Sequence, residues 1–420
     1  MIKYEINKLL HQKKLITAAV LVLAALYVYL AFTGAFDTFC GISQEYFWAN
    51  KDYRSICMSQ KPAVVDDEWI ASVKLEYKTF VDENRVSDEE LKTVIKQKKA
   101  EGFQITETPE QILADPYNPE YDYLILQEQA LNSSWMNEYT DIFYSYIPLA
   151  ENPTAFIIEK NDLKERGYTE EQSKEYENLI HRRFSDFKPV VGYSLGWDVL
   201  CSVMQFLPYT LGMALLVVLG NLFSQEKTFS MVPVLRTAKH GRCRLLRTKL
   251  GLGFLVTTGL WFLFQFVMLI AVALTYTLQG GGCTALLVSC SPTFYGFSWF
   301  RYYLVQCAFS YFGTLVFALF ICCTSSVLPL RLSMPFNLVL LVLTGQPMEK
   351  FQFWECAFSL IDKVQALLPA QLMSAYTTLP IYQSYRFGNH LVSLPYVTAA
   401  AISAELFLML LFLKRREGGK

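Results

Sequence analysis

Residues 192–196 read Gly-Tyr-Ser-Leu-Gly, the spacing of a nucleophile elbow, in which a serine hydroxyl attacks an acyl carbon. That chemistry needs a strand before the serine, a helix after it, and a histidine and an acid within reach. The chain has four histidines, His11, His181, His240 and His390, and no spacing ties any of them to Ser194. The pentapeptide follows "FKPVV" and runs straight into an apolar stretch, so it reads as a turn beside a membrane, and a membrane hydrolase is the least supported function. No HExxH, no pair of CxxC motifs and no glycine-rich phosphate loop ending in Gly-Lys-Ser/Thr is present. The sequence therefore shows no ATP site, metal site or cofactor site of its own, and the chain is not expected to be an enzyme.

A second unusual residue is Glu405, near the middle of the apolar run 395–413. A carboxylate at bilayer depth costs a few kcal/mol, so this side chain is expected to face other helices or to be protonated. It serves either as part of a proton, cation or translocation path or as a hydrogen-bonding contact between helices. Gln205, Gln265 and Gln306 also fall in apolar runs, where bonding between helices is the default role of an amide. Of ten cysteines, Cys40 and Cys57 follow the first apolar run, and Cys283 and Cys290 follow the third. Each pair forms a disulfide in an oxidising compartment or stays as two thiols, since spacing alone does not fix geometry. Most of the others sit in apolar runs, where cysteine behaves as a small hydrophobe.

The elements that must hold these residues are long and apolar. The chain has 420 residues, 53% hydrophobic and 18% charged, with mean hydropathy +0.24. That excludes an ordinary soluble protein and points to a polytopic membrane protein. Helix rise is about 1.5 Å per residue, so about 20 residues cross a hydrocarbon core of about 30 Å. Six runs qualify as spans: 15–36, 199–223, 251–278, 300–327, the short 335–345, and 395–413. The first is longer than the apolar core of a cleaved signal peptide, about 7 to 15 residues, so it reads as a retained span.

Charge is segregated along the chain. Residues 37–196 carry 17 Lys and Arg against 30 Asp and Glu, whereas the remainder carries 20 against 8. The cations of the remainder cluster at Lys3, Lys8, Lys13 and Lys14, in 224–250, at Arg331, and at Lys414, Arg415 and Arg416. With six spans, all four clusters fall on one side, which the positive-inside rule makes the cytoplasm. Both termini are then inside a cell membrane, and Trp197, Trp299 and Trp354 lie where spans meet the outer interface.

Residues 37–196 form an extracytoplasmic insert large enough for one domain. "SDEELKTVIKQKKAEG", "TPEQIL" and "YTEEQSKEYENLIHRRF" each begin with a capping box, so the domain is expected to be mostly helical with a few short strands. Residues 1–14, with Ile2, Ile6, Leu9 and Leu10 at helical spacing, read as an interfacial amphipathic helix. Residues 346–394 read as an outer re-entrant or interfacial segment, and 414–420 as a cytoplasmic tail. The fold class is therefore mainly α: a six-span helix bundle with a large, mostly helical outer domain between spans one and two.

The loop 224–250 holds seven cations and one acid, Glu226. Cations there pin the loop inside and attract anionic lipid. The loop is short, tethered at both ends and poor in stacking aromatics, which argues against nucleic acid. "FSQEKTFSMVPVLRTAKHGRCRLLRTKL" resembles the first cytoplasmic loop of type-2 ATP-binding-cassette (ABC-2) exporter permeases. Phe223 and Glu226 match the family's Phe-x-x-Glu start, Ser230 stands where glycine is common, "VLRTAKHGR" matches its turn and arginine, and Lys249 matches the lysine that opens the next span. "YEINKLLHQKKLI" and the stretch from "LLPAQL" at Leu367 to the last residues also look like that family's ends. The resemblance covers the spans and not the outer domain, which is shorter in such permeases.

The resemblance implies a permease subunit of an exporter. Two such subunits, identical or not, pair with separate ATPase subunits that carry the ATP and magnesium. Glu226, Arg236, Lys239, Arg242 and Lys249 are then the expected contacts to the ATPase. The alternative is a non-transporting sensor or immunity protein whose outer domain binds a ligand while the spans act as scaffold.

Overall fold

The computed structural model describes residues 13–32, 38–39, 42–83, 87, 89, 92–96, 170–185, 187–220, 222–223, 241–287, 291–292, 295–344, 364, 366–374, 384–387 and 390–417. The expected amphipathic helix 1–14 lies outside them except for its last two residues, as does the whole of 97–169 in the insert. Glu226, Arg236, Lys239, Cys40, Cys290 and Trp354 are outside as well.

The protein is mainly helical. Helix α1 spans Lys13–Phe32. A two-residue hairpin follows, β1 (Thr38–Phe39) with β2 (Ile42–Ser43), then α2 (Gln44–Ala49) and α3 (Lys51–Ser59). The insert continues through β3 (Ala63–Val64) and α4 (Asp67–Glu83), and returns through α5 (Glu170–Phe184) and β4 (Val190–Val191). The next helix is in two parts, α6 (Leu195–Val203) and α7 (Leu207–Leu219), joined by a 3-10 turn at Met204–Phe206. Helix α8 is the longest, 35 residues over Gly241–Thr275. A short hairpin, β5 (Leu286–Leu287) with β6 (Ser291–Pro292), precedes α9 (Trp299–Val327) and α10 (Leu330–Thr344). The chain ends with α11 (Pro369–Ser374), the hairpin β7 (Ser384–Phe387) with β8 (His390–Ser393), and α12 (Leu394–Glu417).

Among the described residues, four helical stretches are long and apolar enough to cross a bilayer: Leu195–Leu219, Arg244–Thr275, Trp299–Val327 and Leu394–Arg416. Two shorter apolar helices, Ile16–Phe32 and Arg331–Val342, occupy the places expected for spans one and five. The apolar stretch at the chain's start thus falls a little short of the expected 15–36, because its helix is described only to Phe32. The fifth helix starts near Leu330, earlier than expected, and carries Pro335 inside.

Helix α9 is the axis of the bundle. Helices α6, α7, α8, α10, α11 and α12 all pack on it, and α1 packs on α6, α7 and α8. The buried core runs through Leu207, Leu211, Leu215, Phe264, Phe317 and Ile321. Large apolar side chains such as Leu255, Phe266 and Leu274 of α8 and Phe407 and Leu408 of α12 point away from it, as lipid-facing side chains do in a membrane bundle.

The insert is closed at its base. Strand β3 pairs antiparallel with β4, placing Ala63 opposite Val191 and Val64 opposite Val190. The Thr284 amide donates to the Val190 carbonyl at 2.8 Å, and the Val190 amide donates to the Thr284 hydroxyl at 3.0 Å. The loop after α8 is thus stitched to the neck where the insert begins and ends. The described part of the insert is mostly helical, with two pairs of two-residue strands, β1 with β2 and β3 with β4.

Two glycines explain the Gly-Tyr-Ser-Leu-Gly spacing. A Cβ at Gly192 would press on the backbone of Pro62, and one at Gly196 would collide with the Thr277 carbonyl oxygen. Both positions need hydrogen in place of a side chain because two backbones meet there. Ser194 is the residue before α6, and His181, the histidine whose surroundings are described, stands exposed on α5. The pentapeptide is a packing motif.

Candidate functional site

Two places in the bundle combine polar chemistry with broken helix geometry. The first is the junction of α6 and α7. Pro208 has no N–H to give the Met204 carbonyl four residues earlier, so the helix tightens and the Leu207 amide bonds to Met204 instead. The Cys201 carbonyl, in the turn before, accepts a 3.0 Å hydrogen bond from Nε2 of Gln306 on α9. Gln306 is fully buried, and its Oε1 has no partner among the described residues. The expected bonding of this amide between helices is therefore what the structure has.

Asp198 shares this region. It is buried in the first turn of α6, accepts a 3.2 Å bond from the Ser202 hydroxyl, and lies near the helix N-terminus, where the dipole favours a negative charge. Sequence reasoning missed it because the second span was started at Val199, one residue too late. The signal was available, since Gly196 and Trp197 begin the apolar run.

Helix α11 approaches the same region from the other side. All six of its residues, Pro369–Ser374, are buried. A Cβ at Gly313, the midpoint of α9, would collide with the Leu372 carbonyl oxygen. The segment between the last two apolar helices therefore reaches halfway along α9, as a re-entrant segment does. Short helices and irregular backbone are tolerated at that depth only when protein surrounds them.

Glu405 lies on the face of α12 that carries Thr398, Ile402 and Met409 toward α9. It is partly buried, and its Oε2 is enclosed with no hydrogen-bond partner among the described residues. The side chain turns toward the bundle, as a carboxyl group in an apolar run must.

The second place is the cation-rich end. Helix α7 finishes at Leu219, and the chain turns through Leu222 and Phe223, both buried. Lys249 of α8 reaches this turn. Its Nζ donates to the Leu222 carbonyl at 2.7 Å and sits 4.7 Å from the centre of the Phe223 ring. The residue is fully buried. The ammonium, expected among the contacts to a partner, is turned inward onto the carbonyl of the turn that follows α7. Helix α8 is described from Gly241, so residues 241–250 of the cationic segment are helical turns. Arg242 is in the first of these turns, and Arg244 and Arg247 are exposed on them.

Arg416 has a similar part at the end of α12. Its Nε donates to the Ser326 carbonyl at 3.1 Å, one residue before α9 ends. Nearby, Nδ2 of Asn337 on α10 donates to the Thr324 hydroxyl at 2.8 Å and to the Ser333 carbonyl at 2.7 Å. The cationic plate at this end is thus made of two tied groups, α7 with α8 and α9 with α10 and α12.

At the opposite end, aromatic side chains form the corresponding cap. Trp197 and Trp299 are at the expected end of their spans but buried, not facing lipid. Trp197 Nε1 donates to the Leu278 carbonyl at 3.2 Å, the Tyr193 hydroxyl to the Tyr276 carbonyl at 2.6 Å, and Trp48 Nε1 to the Tyr276 hydroxyl at 3.1 Å. Arg54 lies over the rings of Phe47 and Trp48 at 5.3 and 5.2 Å. Burial pushes the Tyr193 hydroxyl above its ordinary range, so it stays protonated and keeps donating.

Of the two cysteine pairs that either bridge or stay as thiols, one member of each is described. Cys57 and Cys283 are free and buried. Burial raises the Cys57 thiol to about 12 and the Cys283 thiol to about 11. Among the described residues no group of His, Cys, Asp and Glu could hold a metal ion. No family model matches the chain, and neither does any curated protein or solved structure.

Proposed function

We propose that this chain is the membrane-spanning subunit of an ATP-driven exporter, powered by an ATPase on a separate chain and paired with a second permease subunit. In this reading the chain crosses the membrane six times, with α1 and α10 as the short crossings. The cationic ends face the cytoplasm, and the insert between α1 and α6 stands outside. Glu226, Arg236, Lys239 and Arg242 meet the ATPase.

The observation that carries the reading is the joint between α7 and α8. Helix α8 runs unbroken from the cationic segment through the apolar stretch, and Lys249 ties its first turns to the end of α7. A push on residues 236–244 would move both helices as one body, which is the geometry a coupling element needs. The break at Met204–Phe206, the re-entrant α11 and the buried Gln306 supply the interior irregularity that substrate paths of transporters use.

The test is purification of the full chain from its native membrane. An ATPase subunit with a phosphate-binding loop should come with it. In the reconstituted complex, Arg236→Glu together with Arg242→Glu should lower substrate-stimulated ATP hydrolysis about tenfold while thermal stability stays the same. A chain that purifies without any ATPase, or charge reversal that leaves hydrolysis unchanged, would refute the assignment.

A further inference from the structure

Between α7, α8, α9 and α12 lies a cavity of about 310 Å³. Leu219 of α7, Gly253 and Phe254 of α8, Ala318 and Cys322 of α9, and Leu410 of α12 line it. The polar group of Thr257 in its wall is already satisfied, since its hydroxyl donates to the Gly253 carbonyl at 2.7 Å. The wall therefore offers apolar surface only. Phe254 and Leu410 are 51% and 43% exposed, so the cavity opens sideways between α8 and α12, toward the bilayer in a membrane-embedded chain.

The two helices that frame this opening both become cationic one turn beyond it. Leu250 and Gly253 line the cavity, and Arg247 precedes Leu250 by three residues on the same face of α8. Leu406 and Leu410 line it from α12, and Lys414 follows Leu410 by four residues on that same face. Arg247 and Lys414 are exposed. Helix α8 runs antiparallel to α9, with Thr258 at Tyr311 and Trp261 at Ser310, and α12 runs parallel to it, with Met409 at Cys323 and Arg416 at Ser326, so the two cations stand at the same end of the cavity. Arg415 and Arg244 add charge nearby.

An apolar slot with two free cations above it matches an amphiphile with a hydrocarbon tail and an anionic head. We infer that this cavity holds one acyl chain of an anionic phospholipid from the surrounding bilayer, with its phosphate at Arg247 and Lys414. Basic pockets between membrane helices bind such headgroups, and a tail that fills the slot removes the void between α8 and α12. A zwitterionic lipid carries the same tail but offers a neutral head, so the charge pair selects against it. The inference needs only that these helices lie in a bilayer, and it holds or fails apart from any ATPase.

Native mass spectrometry of the full chain tests it. Protein delipidated in detergent is incubated with phosphatidylglycerol or with phosphatidylcholine of the same acyl chains. The wild type should retain phosphatidylglycerol in preference to phosphatidylcholine by roughly tenfold or more. Gly253→Leu fills the slot, because a Cβ there meets only Leu222 Cδ2 at 3.7 Å, and it should abolish that retention. Arg247→Gln with Lys414→Gln should remove the preference and leave weak, equal retention of both lipids. These two positions are exposed, so the double variant keeps the test valid if Gly253→Leu does not fold. Equal retention of the two lipids by the wild type would overturn the inference, and so would phosphatidylglycerol retention that the charge-neutral variant leaves intact.

Discussion

Lys249 and Leu222 are 27 residues apart in the chain and joined by a 2.7 Å hydrogen bond from ammonium to carbonyl. Both residues are buried, and the Phe223 ring covers the ammonium. A buried cation is costly unless it is paired and bonded, and here a helix end supplies the partial negative charge. The bond therefore fixes how α7 and α8 meet, and it explains why a lysine opens this span.

Replacing Lys249 by methionine keeps the stem and removes the charge. The Leu222 carbonyl then loses its donor in a dry place, a loss of about 1–3 kcal/mol. The expected result is a clearly lower unfolding temperature in detergent. Lys249→Arg should recover part of it, because a guanidinium also donates and also sits over an aromatic ring. An unfolding temperature for Lys249→Met equal to that of the wild type would show that the bond contributes nothing.

Gly313 gives a second test with an internal control. Its Cα touches the backbone of α11, and a methyl group there would collide with the Leu372 carbonyl. Gly313→Ala should push α11 off α9 and destabilise by roughly 1–3 kcal/mol, as overpacking does. Gly251 and Gly259, on α8, have nothing within 4 Å of an added Cβ. Alanine at either should be neutral or slightly stabilising, since glycine is the weaker helix former. Unfolding curves of the three variants side by side separate close packing from a general intolerance of glycine replacement.

How much of this was legible beforehand depends on the kind of signal. Apolar length is additive along the chain, so six apolar helices stand near their expected places without any knowledge of packing. Charge clusters are equally local, and Lys249 and Arg416 each bond a carbonyl at a helix end. The direction of a side chain is not local. Lys249 looked like a surface cation because nothing in "RTKLGLG" shows that the Leu222 carbonyl lies opposite. Pro208 was readable as a helix breaker, yet its effect, the 3-10 turn and the bond from Gln306, depends on α9. Trp197 and Trp299 were placed at the ends of their spans, but composition does not say that Leu278 offers a carbonyl to the Trp197 indole there.

The buried thiols lead to a chemical prediction. Thiolate is the reactive form, and burial disfavours it at Cys57 and Cys283. A maleimide at pH 8 should leave both unmodified in the folded protein and label both in sodium dodecyl sulfate, with peptide mass spectrometry locating the adducts. The same shift bears on stability. A thiol held protonated by the fold stabilises it fully below the ordinary thiol range near pH 9, and this contribution is lost as pH rises from there toward about 11 for Cys283 and 12 for Cys57. Unfolding temperature should therefore decline above pH 9, and less so in a Cys57→Ala, Cys283→Ala double variant.

The proposed topology has a direct measurement. Lys174 lies on α5 in the insert with its side chain 71% exposed, and Arg247 is exposed on the first turns of α8. If the chain crosses six times, a single crossing, α6 with α7, separates the insert from the cationic plate, and these residues are on opposite faces of the membrane. Single cysteines at the two positions, in a background where the native thiols are buried or replaced, should respond differently to a membrane-impermeant maleimide on intact cells. Lys174→Cys should react at once, and Arg247→Cys only after the membrane is opened. Labelling of both positions on sealed cells would place insert and plate on one side. Glu226 and the residues around it could then no longer reach a cytoplasmic ATPase, whereas the acyl-chain slot between α8 and α12 would be unaffected, because either leaflet can supply the lipid.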